Sequence, residues 1–132
     1  MDVLLVEDEP LVRELVCDDL IDAGCQVVAA ANAEKALRAV DHHGAPPALL
    51  LADLNLGPGM SGPALANEAR RRWPQAGVMF MTGEDLHLVC VRPEFREGWF
   101  PKPFSPTRLV AAVRARMQMQ RAALLEATPA HV

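Results

Sequence analysis

The feature that most constrains the fold is a set of short apolar runs that alternate with stretches of helical periodicity. Val3–Val6, Ala48–Ala52 and Val78–Met81 contain no polar residue. A strand that is apolar on both sides is typical of a parallel sheet whose two faces are covered. Strand and helix alternate about five times along the chain, which predicts a doubly wound α/β sandwich with right-handed crossovers.

Helical periodicity is clearest just after the first run and near the end of the chain. Gly24 is placed to close the first helix and Gly44 follows the second. The apolar positions of the first helix are Leu11, Val12, Leu15, Val16 and Leu20, and those of the last helix are Leu109, Val110, Val113 and Met117. Both sets recur at the spacing of an α-helix that packs against a core.

Two stretches depart from this regular alternation. Between residues 84 and 98 the apolar residues form no clean helical stripe, and Pro93 would break a helix that passed through it. We therefore predict that the fourth helix is short or irregular. Pro101 lacks the N–H that a central strand donates, so we expect the fifth strand, around Trp99–Phe100, at the edge of the sheet.

Size and composition narrow the class of protein. A chain of 132 residues suits one domain. The net charge of −4 and an aromatic content of 5% argue against nucleic-acid binding. No apolar stretch approaches the roughly 18 residues of a membrane span, and the N-terminus lacks the features of a signal peptide. The three cysteines form no CxxC pair, so we expect reduced thiols and a cytoplasmic location.

Polar side chains stand where the predicted strands end. Glu7 and Asp8 follow the first strand, Asp53 ends the third, Thr82 ends the fourth and Lys102 follows the fifth. In a doubly wound sheet these carboxyl ends meet at the edge where ligands bind. Three carboxylates gathered there would repel one another, so a cation must compensate. Lys102 supplies one positive charge, and an oxygen donor set that retains some water suits Mg²⁺.

This set of residues points to phosphoryl transfer. A carboxylate such as Asp53 can act as a nucleophile and form an acyl phosphate. Stabilisation then requires neutralisation of three phosphoryl oxygens, for which Mg²⁺, Lys102 and the Thr82 hydroxyl are candidates. Taken singly, an acidic pair after a strand is usually a solvated charge at a helix N-terminus. The coincidence of five such residues at matching strand ends favours the functional interpretation.

At this point the sequence resembles the response-regulator receiver family of two-component signalling, from about residue 2 to 120. The segments that carry the resemblance are VLLVEDEP, LLLADLNL, MFMTG and WFPKPF. The resemblance implies a flavodoxin-like five-stranded parallel sheet of order 2-1-3-4-5 with helices on both faces. We accordingly assign residues 1–125 to a receiver domain and residues 126–132 to a frayed C-terminal tail.

The resemblance also implies roles at the acidic site. Asp53 would be the phosphoacceptor. Asp8 and Asp53 would bind Mg²⁺ directly, joined by the backbone carbonyl of Asn55, and Glu7 would act through a bound water.

Further roles follow at the neighbouring strand ends. Thr82 and Lys102 would contact the phosphoryl group, and Thr82 with Trp99 would form the switch that responds to it. The Lys102–Pro103 bond is expected to be cis.

The implied function is a phosphorylation-dependent switch that receives its phosphoryl group from a sensor histidine kinase or a histidine phosphotransfer protein. It would signal by protein contact, or serve as a phosphate shuttle or sink, and catalyse only its own phosphorylation and dephosphorylation. We expect no nucleic-acid or membrane partner, and a monomer or weak homodimer. The glycine-rich loop after Asp53, residues 56–62, is one residue longer than the common family pattern and resembles receivers associated with hybrid sensor kinases.

Two other functions stay open at this stage. A Mg²⁺-dependent phosphohydrolase with an aspartyl nucleophile would usually carry a second acid two residues after the nucleophile, where this chain has Asn55. A receiver-like scaffold that never takes phosphate would be expected to have a broken acidic set. The basic run Arg70–Arg72 is a solvated helix face or a docking patch for an acidic partner.

Overall fold

The computed structural model describes residues 1–82, 99–101 and 105–127. The elements in chain order are β1 (Val3–Val6), α1 (Pro10–Asp22), β2 (Val27–Ala30), α2 (Ala33–His43), β3 (Leu49–Asp53), α3 (Gly62–Arg72), β4 (Gly77–Thr82), β5 (Trp99–Pro101) and α4 (Pro106–Ala127). The predicted irregular helix between residues 84 and 98 and the Lys102–Pro103 bond lie outside the described residues. Helix α4 runs to Ala127, so the first two residues of the predicted tail are helical, and residues 128–132 lie outside the described residues.

The sheet confirms the predicted fold. Its five strands are parallel and lie in the order β2-β1-β3-β4-β5. The chain moves from β1 to β2 on one side and then returns to place β3 on the other side of β1. The switch in strand order therefore falls between β1 and β3, which is where a doubly wound sheet binds its ligands. β5 lies at the edge, as Pro101 predicts.

Core packing covers both faces of the sheet. Because successive residues of a strand point to opposite faces, Leu4 and Leu50 pack with α2 and α3, whereas Leu5 and Leu51 pack with α1 and α4. All four leucines are fully buried. The predicted arrangement of helices on both faces is thus confirmed.

Capping residues fix where α2 and α3 begin. The Asn32 side chain accepts the backbone N–H of Lys35 at 2.8 Å, and Gly44 ends α2 in the left-handed region with φ 85°. The Ser61 hydroxyl accepts the N–H of Ala64 at 3.2 Å and so starts α3. The caps therefore fix the start of α2 after β2 and the start of α3 after β3.

Helix α1 carries apolar residues on two sides rather than one. Val16 and Leu20 are buried against the sheet, while Leu11 is 68% exposed and Leu15 61% exposed. The five apolar positions that the sequence suggested as one stripe therefore form two neighbouring rows. Only one of these rows packs against the core, and the other faces away from it.

Candidate functional site

Strand register brings three carboxylates to one edge of the sheet. Val6 pairs with Ala52, so Glu7 and Asp53 follow at the same level on neighbouring strands. One carboxylate oxygen from each of Glu7, Asp8 and Asp53 lies within 4.8 Å of the other two. The structure thus brings together three residues that the sequence placed in one site.

Burial of two of these carboxylates strengthens the electrostatic repulsion within the cluster. Glu7 is only 1% exposed and Asp53 8% exposed, whereas Asp8 is open to solvent. At this separation two like charges repel by roughly 3 kcal/mol in the effective dielectric near a protein surface. A donor set made of oxygen atoms, with one side open to water, has the chemistry that Mg²⁺ requires. The residues therefore fit the predicted metal.

The Asp53 carboxylate is oriented by the backbone that follows it. The N–H of Asn55 donates to Asp53 Oδ1 at 2.9 Å. Leu54 is buried, and its N–H donates to the Met81 carbonyl at 3.1 Å, which ties the loop to β4. Asn55, between buried Leu54 and buried Leu56, is exposed beside the cluster.

The loop between β1 and α1 is short and internally bonded. The N–H of Glu9 donates to Glu7 Oε1 at 3.2 Å. Arg13, on the first turns of α1, donates from Nη1 to the backbone carbonyl of Glu7 at 2.9 Å. Sequence reasoning missed Arg13, because an arginine six residues from Glu7 has no pattern that distinguishes it from a solvated charge.

The loop between β3 and α3 passes beside the acidic cluster. Gly57 has φ 71°, and a Cβ at this position would lie 3.6 Å from Asp8 Oδ2, so the loop backbone passes beside that carboxylate. Gly62, at the start of α3, approaches β3 even more closely. A Cβ there would overlap the backbone carbonyl oxygen of Asp53. The long loop therefore touches the cluster at one point and closes against β3 at its end.

A carboxylate from α2 reaches the same loop. Glu34 Oε1 accepts the backbone N–H of Met60 at 3.2 Å. The carboxylate also lies against Gly59, where a Cβ would stand 3.0 Å from the same oxygen. No sequence motif singles out Glu34, because the contact joins segments that are 26 residues apart.

The remaining predicted residues are placed only in part. Thr82 ends β4 and pairs with Pro101, and Trp99 starts β5 opposite Phe80. This register sets the backbones of Thr82 and Asp53 at neighbouring levels, since Asp53 pairs with Met81. The side chains of Thr82 and Trp99, and all of Lys102, lie outside the described residues, so their roles stay predictions.

The basic run on α3 is largely paired within its own helix. Arg71 and Arg72 both donate to Glu68, and Arg72 also lies 3.8 Å from Asp41 of α2. Hydrogen bonds from Arg71 and then Arg72 lower the pKa of Glu68 to about 2. Much of the positive charge that could attract an acidic partner is thus offset locally.

A parallel sheet of order 2-1-3-4-5 that gathers carboxylates at its topological switch point is typical of the flavodoxin-like fold. The sequence profile of the response regulator receiver domain matches residues 3–114. The chain belongs to the response regulator receiver domain family, and it is homologous to response regulators of two-component systems, consistent with a phosphorylation-dependent switch.

Three comparisons illustrate the relationship. The chain is 33% identical to the transcriptional regulatory protein AruR of Pseudomonas aeruginosa over 133 residues, covering 97% of this chain and 54% of AruR. It is 32% identical to the sensor kinase CckA of Brucella abortus over 120 residues, covering 89% of this chain and 13% of CckA. The crystal structure of the receiver domain of NtrX from Brucella abortus is similar with a TM-score of 0.78 and 28% identity, over 89% of this chain and 98% of that one.

The chain spans only part of these curated relatives, about half of AruR and a smaller share of CckA. Within the residues described here, no helix has both the length and the apolar character needed to cross a membrane.

Proposed function

We propose that this receiver domain takes a phosphoryl group onto Asp53 from a phosphohistidine of a sensor histidine kinase or a histidine phosphotransfer protein. The single observation that carries the proposal is the cluster of Glu7, Asp8 and Asp53, whose carboxylate oxygens lie within 4.8 Å of one another. We infer that Asp8, Asp53 and the backbone carbonyl of Asn55 hold Mg²⁺, with Glu7 acting through a bound water. When bound, Mg²⁺ supplies positive charge that offsets the carboxylates and the incoming phosphoryl oxygens.

The chemical step needs little more than correct placement of the nucleophile. A carboxylate oxygen of Asp53 forms the new P–O bond while the P–N bond of the phosphohistidine breaks, and the electron pair leaves on the imidazole nitrogen. The N–H of Asn55 holds Asp53 Oδ1 at 2.9 Å, which limits rotation of the carboxylate. Since phosphoryl transfer depends mainly on positioning and charge neutralisation, this restraint favours the reaction.

We further propose that Lys102 and the Thr82 hydroxyl contact the phosphoryl group. This proposal is supported by the positions of the two residues at strand ends, because β4 ends at Thr82 and β5 ends one residue before Lys102. In this proposal Thr82 moves toward the phosphoryl group and Trp99 turns into the space that it leaves. The switch thus couples a local change in charge to a surface change at β5.

The alternatives are less well supported by the site. Asn55 occupies the position where a phosphohydrolase would need a second acid, and its backbone N–H is directed at Asp53. A scaffold that never takes phosphate would have no need for a buried Glu7 beside a nearly buried Asp53. We place the reaction in the cytoplasm, in keeping with the free thiol of Cys17.

The test is to incubate the full chain with acetyl phosphate and Mg²⁺ and to measure its mass. We expect a gain of one phosphoryl group that depends on Mg²⁺ and disappears in Asp53→Asn. Lack of any gain by the wild type at saturating acetyl phosphate and Mg²⁺ would contradict the proposal and favour a scaffold.

The outward row of α1 is the surface we propose for the phosphodonor protein. Leu11 and Leu15 are exposed on the helix that begins two residues after Asp8. Exposed leucines beside a reactive group suit an apolar contact with a helical donor. Leu11→Ser with Leu15→Ser should reduce transfer from a histidine kinase that phosphorylates the wild type by about tenfold or more. Phosphorylation by acetyl phosphate should stay unchanged, and an equal loss with both donors would argue against this surface.

A further inference from the structure

The β3–α3 loop connects the acidic cluster with helix α2. The β3–α3 loop carries Asn55 next to Asp53, passes Asp8 at Gly57 and then meets Glu34 of α2 at Gly59 and Met60. Glu34 belongs to neither strand end of the site, yet it bonds to the loop that passes beside the site.

The β3–α3 loop has buried residues at some positions and exposed residues at others, and the exposed part is the part that Glu34 contacts. Leu54 and Leu56 are buried and Met60 packs against the same core cluster, whereas Gly57, Pro58 and Gly59 are exposed. Gly57 and Gly59 both adopt positive φ, 71° and 96°. Glycines lose more conformational freedom on ordering than other residues, so this exposed part of the loop depends on bonds that hold its backbone.

Glu34 is well placed to supply that bond. Its backbone is fixed in the first turn of α2, which Asn32 caps at 2.8 Å from the Lys35 nitrogen. From there Oε1 accepts the Met60 N–H at 3.2 Å. The same oxygen approaches Gly59 so closely that a Cβ would stand only 3.0 Å away. A side chain at residue 59 would therefore disturb the contact.

We propose that Glu34 is a positioning residue that holds the β3–α3 loop in the conformation that places the Asn55 carbonyl and Gly57 beside the metal site. Glu34 touches neither the metal nor the phosphoryl group; it acts through Met60 and the loop backbone. This inference rests on the proposed function, because it assigns Glu34 a role in the Mg²⁺ site inferred for Asp8, Asp53 and Asn55.

The first measurement is Mg²⁺ affinity of the full chain without any phosphodonor, by calorimetric titration. Outer-shell partners of a metal site typically change its affinity by about 10–100-fold, and a residue one step further out should have less effect. We therefore expect Glu34→Ala to weaken Mg²⁺ binding about three- to tenfold. Glu34→Gln keeps an oxygen acceptor and should restore most of the affinity.

A matched control separates the contact from the loss of a negative charge. Asp41→Asn removes the same charge from the other end of α2, where Asp41 faces Arg72 rather than the loop. It should leave Mg²⁺ affinity within about twofold of the wild type, as expected for a distant and screened charge. The second measurement is amide hydrogen exchange of Met60, which should accelerate about tenfold in Glu34→Ala and stay unchanged in Asp41→Asn.

The outcomes distinguish this inference from the function on which it rests. If Glu34→Ala binds Mg²⁺ as tightly as the wild type, or if Asp41→Asn weakens it equally, the positioning role is overturned while the proposed function stands. If the wild type binds no Mg²⁺ and takes no phosphoryl group from acetyl phosphate, both are overturned.

Discussion

The β1–α1 loop spans only Glu7 to Glu9 and starts with a buried side chain, whereas the β3–α3 loop runs from Leu54 to Ser61 and exposes Gly57, Pro58 and Gly59. The short loop carries Glu7 and Asp8 of the acidic cluster, and the long loop begins directly after Asp53. The short loop is bonded within itself and to α1, so its geometry comes with the fold. The long loop is anchored at its ends and at a few points between, so part of its geometry depends on surface contacts. We therefore expect substitutions in the short loop and in the long loop to differ in their effects on unfolding free energy and on Mg²⁺ affinity.

The largest effect is expected from a substitution at Gly62, directly after the long loop. Gly62→Ala should lower the free energy of unfolding by about 3 kcal/mol, since the new Cβ would overlap backbone atoms of Asp53 and Leu54 that cannot move without shifting β3. Urea denaturation measures the change. Gly44→Ala is the matched control, because Gly44 has φ 85° but open space around it, and it should cost only about 1 kcal/mol. Equal costs at both positions would show that α3 can retreat from β3.

The next largest effect is expected at Asp8, which belongs to the short loop but faces the long one. Asp8→Asn should weaken Mg²⁺ binding at least about tenfold, because it removes the direct ligand that we propose at this position. Without Mg²⁺ the same change should stabilise the fold by about 1 kcal/mol, because one of three mutually repelling carboxylates loses its charge. Urea denaturation with and without Mg²⁺ tests both signs. A metal-free variant less stable than the wild type would mean that Asp8 is held by favourable bonds rather than strained by repulsion.

A substitution of Arg13 tests whether the bonds of the short loop contribute to the stability of the fold rather than to Mg²⁺ affinity. Arg13→Met removes the donor to the Glu7 carbonyl and should cost about 1–2 kcal/mol of unfolding free energy. It should not lower Mg²⁺ affinity, because the loss of a nearby positive charge favours a cation. Arg13→Lys keeps a donor and should retain part of the stability. Weaker Mg²⁺ binding in Arg13→Met would remove the proposed contrast with Glu34.

The smallest effect is expected in the exposed charges of α3, beyond the long loop. The pKa of Glu68 is lowered from 4.5 to about 2 in the folded protein, so its ion pairs contribute stability above about pH 4.5 that is lost as pH falls through about 2. Glu68→Gln should therefore flatten the decline of the thermal midpoint between these pH values. Because the Arg71 side chain is 70% exposed and that of Glu68 is still 23% exposed, solvent screens these ion pairs and the change should be slight. Parallel pH profiles for the wild type and the variant would show that the pairing with Arg71 and Arg72 contributes nothing.

Much of the fold could be predicted because its signals are local. The apolar run Val3–Val6 is β1, and Gly44 ends α2 in the left-handed region. The stretch from Cys25 to Ala30 predicts the second strand, but β2 begins only at Val27, since periodicity says little about where a strand starts pairing. The rows of α1 could not be separated from the sequence, because residues one apart in a helix, such as Leu15 and Val16, differ by about 100° and either row could have faced the core.

In the candidate site, too, some residues could be predicted from the sequence and others could not. Strand ends follow from the order of elements, so Glu7, Asp8 and Asp53 could be placed together before any coordinates were known. The supporting residues could not, because the contact of Glu34 with Met60 depends on how far α2 and the long loop approach one another. That distance is set by packing across the whole face of the sheet rather than by any local pattern.

The length of α4 has a mechanical consequence. Among the side chains described on this helix, the last one buried in the core is Met117, yet the helix continues to Ala127. At 1.5 Å per residue the helix extends about 15 Å from Met117 to Ala127. A tilt of about 10° around Met117 would then move Ala127 by roughly 2.6 Å, from the same helical rise. The length of the helix therefore amplifies a small change in its angle. A tilt of this size displaces Ala127 by more than the length of a covalent bond.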